Sequence, residues 1–67
     1  MTPIVPGSLV VIDLGSERNE RGEMKKVYTK TGSTQAVVGR RAFVLWEHSR
    51  LLEHDIDELT HIDDVEI

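Results

Sequence analysis

The chain has 67 residues, no cysteine and a formal net charge of −4; that is room for one domain, and it excludes disulfides, thiolate metal sites and cysteine nucleophiles together. No apolar run reaches the roughly 20 residues that cross a bilayer. The first seven residues carry neither a basic region nor an apolar signal core, so a soluble, cytoplasmic protein is expected.

A domain this small buries only about 60% of the surface its unfolded chain exposes, so it must rest on a compact apolar core or on a partner. Residues 1–7, with Pro3, Pro6 and Gly7, read as an irregular lead-in. Ser8 to Asp13 is rich in β-branched residues, follows a Pro-Gly turn signal and predicts a strand. Asp13 to Gly22 is polar and glycine-flanked, and is expected to be a loop of about ten residues, long enough to be of functional interest. Glu23 to Thr29 predicts a second strand, Lys30 to Thr34 a turn, and Ala36 to Val38 a strand extension. Arg40 to Glu47 contains the run Ala42-Phe43-Val44-Leu45-Trp46, whose continuity predicts burial on more than one side.

Two readings stand for the rest. Leu52, Ile56 and Leu59 fall at helical spacing, with Ser49 as a cap, which predicts a helix near 49–60. The competing reading is a strand at 51–55, a tight turn at 57–59 and a last strand near 60–62. Residues 63–67 form an acidic tail.

Charge is unevenly distributed. Residues 1–24 sum to −2, residues 25–41 to +5 and residues 42–67 to −7. Pairing residues 23–29 with 36–44 would gather Lys25, Lys26, Lys30, Arg40 and Arg41 into one basic hairpin, a candidate contact surface.

The order Pro6-Gly7-Ser8-Leu9-Val10-Val11, then Gly22 before a strand, then Ala42-Phe43-Val44-Leu45-Trp46, then Asp57-Glu58-Leu59-Thr60-His61-Ile62 resembles a small SH3-like β-barrel of the KOW or Tudor kind. Many short bacteriophage proteins have this layout. The resemblance implies a mainly β fold, a five-stranded barrel over residues 8–62 with one 3-10 turn at 57–59. The alternative is an α+β fold, an antiparallel sheet with a C-terminal helix near 49–60. The resemblance also implies a binding groove framed by the long first loop and the second hairpin, and a home in host cytoplasm or virion. Two features depart from the pattern: the segment from Thr29 to Arg40 exceeds a minimal barrel's needs, and the acidic end matches no family role. Barrels of this kind bind proline-rich or methylated peptides, nucleic acid or neighbouring subunits, so fold alone does not choose.

Side-chain chemistry points away from catalysis. His48, His54 and His61 are six and seven residues apart, which matches no common metal-ligand spacing. Paired carboxylates such as Glu53 with Asp55 have little room for the desolvation that separates acid from base. No nucleotide-binding or nucleophile motif is present, and no enzyme, metal, cofactor or small-molecule substrate is expected. Trp46 and Phe43, three apart on one strand, are predicted to point to opposite faces.

The expected function is a non-catalytic binding or adaptor module that contacts protein, either a host or virion protein or a second copy. Its contact residues would be Lys25, Lys26, Lys30, Arg40, Arg41 and Trp46. The alternative is a nucleic-acid-binding KOW-like barrel that sets the 25–41 basic hairpin against phosphates. The negative whole-chain charge disfavours that alternative.

Overall fold

The computed structural model describes residues 1–65, the side chain of His48 excepted; Glu66 and Ile67 of the expected acidic tail lie outside the described residues. Six strands follow in order: β1 (Leu9–Arg18), β2 (Met24–Tyr28), β3 (Gly32–Val38), β4 (Arg41–Trp46), β5 (Arg50–Asp55) and β6 (Leu59–His61). They form one antiparallel sheet in the order β2-β1-β3-β4-β5, with β6 on β1. The mainly β expectation holds.

Of the two readings of residues 49–60, the strand is the one found. Leu51 and Leu52 pair with Leu45 and Val44 on β4. The Asp55 carboxylate then accepts the Asp57 N–H at 2.9 Å, which ends the strand in a single 3-10 turn at Ile56–Glu58. A helix over the same residues would forfeit the β4 ladder. The C-terminal-helix alternative is therefore not formed.

Four expectations are corrected. Six strands replace five, and three 3-10 turns (Glu47–Ser49, Ile56–Glu58 and Ile62–Asp64) replace one. The sheet is also not closed into a barrel. β2 and β5 end the strand path with no ladder between them, because β2 pairs only with the outer half of β1. The molecule measures 42 × 28 × 16 Å along its principal axes, extended rather than spherical.

The fourth correction concerns the first loop. β1 runs on to Arg18 because a bulge at Gly15 carries the ladder past Asp13. Gly15 has φ 107°, and its N–H donates to Asp13 Oδ1 at 2.7 Å. A positive φ is open to glycine without a Cβ clash, so the bulge needs this residue. The true turn is Asn19 to Gly22. Asn19 Oδ1 accepts the N–H groups of Arg21 and Glu23, and the Gly22 N–H donates to the Asn19 carbonyl at 3.0 Å. The chain thus makes a two-stranded arm, in which every residue from Asp13 to Lys26 is exposed.

The main core cluster lies on one face, and Val11, next to Val10 on β1, is buried on the other. Val10, Ala42, Val44 and Leu59 are buried, with Ile4, Ile12, Val37, Trp46 and Ile56 packed against them. Alternation along β4 sends Ala42 and Val44 inward and leaves Leu45 38% exposed, so its apolar run is buried on one side rather than on both. The register Leu9–Ser33–Leu45–Leu51 lays a partly apolar row across four strands on the opposite face.

Candidate functional site

Trp46 ends β4 on the core face, and its position depends on a missing side chain. A Cβ built on Gly32 of β3 would lie 2.5 Å from Val44 Cγ1 and 2.6 Å from Trp46 Cε3. Only a bare backbone lets the indole settle there. The indole Nε1–H donates to His54 Nε2 at 3.0 Å, and the two rings meet edge-on, 5.5 Å apart at 88°. His54 Nε2 is therefore an acceptor, and its Nδ1 faces the Glu58 carboxylate at 3.6 Å.

Because strand side chains alternate, Arg50, Leu52 and His54 of β5 share one face with Trp46 and Val44. The facing wall comes from the base of the arm. There the Ile12 N–H donates to Thr29 Oγ1, and the Thr29 N–H donates to the Ile12 carbonyl, both at 2.9 Å. The two walls enclose an open groove of about 460 Å³, its lining mostly apolar. Lys30 and Glu47 close one rim with an ion pair of 3.1 Å. β5, which supplies Arg50, Leu52 and His54 to the groove, ends the strand path of the sheet. A second hollow of about 600 Å³ lies between the lead-in (Met1 to Ile4) and β6.

The expected basic hairpin does not form. β2 pairs with β1, and β3 pairs with β4, so Lys25 and Lys26 sit on the arm while Arg40 and Arg41 sit at the β3–β4 turn. Four of the five bases also have acidic partners. Lys26 pairs with Asp13 at 3.0 Å, Lys30 with Glu47, Arg41 with Glu53 at 3.0 Å, and Arg40 with Asp57. Lys25 stands opposite Glu17 in the ladder. Where the exposed pairs shift an ionisation, each shift favours the charged form. The Gly15 N–H and then Lys26 hold the Asp13 carboxyl below its ordinary value, and Glu53 raises the already high value of Arg41.

Of the expected contact residues, Trp46 and Lys30 line the groove. Phe43 points to the opposite face, as its spacing from Trp46 predicts. The sequence reading missed Ile12, Thr29, Arg50, Leu52 and His54. The period-two run Arg50-x-Leu52-x-His54 could have identified the β5 members, but Ile12 and Thr29 depend on a strand pairing that local pattern does not reveal. Among the described residues, no cluster of three His, Asp or Glu side chains could hold a metal ion, and no helix is long and apolar enough to cross a membrane. Compared with protein-family models, with curated proteins and with solved structures, the chain matches none.

Proposed function

We propose that this chain is a non-catalytic protein-binding module whose contact surface is the Trp46 groove. One observation carries the reading: an apolar groove with a tryptophan runs along the edge strand β5, which ends the strand path of the sheet. Open edges and apolar grooves are what extended peptide segments recognise, and edges left bare invite unwanted pairing. SH3-like kinship forms the structural half of this proposal. It is supported by the 3-10 turn before the last strand and by the return of that strand to β1. An adaptor role in a phage or host assembly fits the same surface.

The nucleic-acid alternative has less support. Phosphate contacts need free cations close together, and these bases are dispersed and largely ion-paired.

Selection from a ribosome-displayed library of random decapeptides tests the reading. Enriched peptides should bind the wild-type chain and lose about tenfold or more in affinity toward Leu52→Asp. Leu52 is 39% exposed, so circular dichroism of that variant should stay unchanged. Failure to enrich any peptide, or equal binding to the variant, overturns the proposal.

A further inference from the structure

β5 is a ladder edge with a patterned face. It pairs with β4 on one side and, among the described residues, with no strand on the other. On the groove side its side chains alternate as Arg50, Leu52 and His54. Arg50 makes no ion pair among the described residues. The nearby acids are engaged: Glu47 with Lys30, Glu53 with Arg41. An exposed arginine beside an apolar residue on an unpaired strand edge is a recognition element for a strand of complementary charge.

Resting on the reading of the groove as a protein-contact site, we infer that β5 accepts an antiparallel guest strand of the pattern apolar–x–acidic, supplied by a partner protein. The pattern follows from geometry. A guest strand alternates its side chains with the same period of two as β5. The whole sheet is antiparallel, and antiparallel pairs are the more stable per residue. Opposite β5, the guest residue facing Leu52 then comes two positions before the one facing Arg50. The first enters the groove beside Trp46 and Ile12, and the second is a carboxylate that meets the Arg50 guanidinium. The guest lies along the groove between β5 and Thr29, where no strand among the described residues pairs with β5.

Capped octapeptides of threonine and glutamine test this, carrying Leu-Thr-Glu, Leu-Thr-Lys, Asn-Thr-Glu or Glu-Thr-Leu at the centre. Calorimetry reads affinity, and amide NMR shifts read the site. The Leu-Thr-Glu peptide should bind about tenfold more tightly than each of the others, with shifts along 50–55 and at the Trp46 indole N–H. Arg50→Glu should reverse the choice between Leu-Thr-Glu and Leu-Thr-Lys, and Arg50→Gln should erase it. Equal binding of all four at the groove overturns the charge and direction rule while leaving the module reading intact. Tighter binding of Glu-Thr-Leu overturns the antiparallel arrangement. No binding by any of the four overturns the guest strand, and the display selection then judges the module separately. A concentration-dependent dimer in sedimentation, with 50–55 amides protected, makes a second copy the occupant and overturns the partner strand.

Discussion

Thr34 is 2% exposed, and its Oγ1 is the one buried side-chain polar atom without a hydrogen-bond partner among the described residues. Its backbone is fully used: the N–H donates to the Ser8 carbonyl, and its carbonyl accepts the Gly7 N–H. A buried hydroxyl without a partner costs about 1–3 kcal/mol. Valine has nearly the same shape and suits a strand. Thr34→Val should therefore raise stability by about 1 kcal/mol, read as a higher urea midpoint at unchanged slope; an unchanged or lower midpoint would mean the hydroxyl has found a partner. Thr34 also shows a limit of the sequence reading, which gave it to a turn. A Gly-Ser-Thr cluster is a turn signal, but here Gly32 serves close packing under Trp46 rather than a bend. The Pro6-Gly7 signal was legible because its mechanism is local. Gly7 has φ 94°, and the Ser8 N–H donates to the Val5 carbonyl at 2.9 Å, as a type II turn requires.

At the scale of elements, strands with strong β-branched content were readable and their partners were not. Ser8–Asp13 and Arg40–Glu47 contain the inner half of β1 and all of β4. The pairing of β2 with β1 depends on a bulge set by one glycine, and no periodicity announces it. The resulting arm has consequences for motion. β2 contacts the rest of the fold chiefly through β1, and a lone two-stranded ribbon is marginal in water. Amides of residues 15–26 should exchange with solvent orders of magnitude faster than those of Val10 and Val44, which are fully buried in the sheet. Equal protection in a hydrogen-exchange series would show that the arm is covered.

Across the whole molecule, the two ends of the described chain are joined by one carboxylate. Asp64 Oδ2 accepts the Thr2 N–H at 2.7 Å, and Oδ1 accepts the Thr2 hydroxyl at 2.9 Å. The backbone bond first, then the hydroxyl, hold the Asp64 carboxyl below its ordinary value of 3.8. A depressed acid contributes stability that is fully present above its unfolded value and disappears as pH falls through the folded one. Melting temperature should thus decline as pH drops below about 4. Asp64→Asn should melt lower than wild type at neutral pH and show a shallower acid decline. Parallel acid curves for the two would remove Asp64 from the account. Asp13 is depressed as well, through Gly15 and Lys26, and leaves part of the acid dependence in the variant.

Trp46 is the chain's single tryptophan, and its N–H is already committed to an imidazole in the groove. The native protein therefore carries its own fluorophore at the place where a guest would arrive. Selective excitation of indole reports from that address alone, so occupancy, ring exchange and the Trp46–His54 contact can be followed as changes in emission colour and lifetime without attaching a dye.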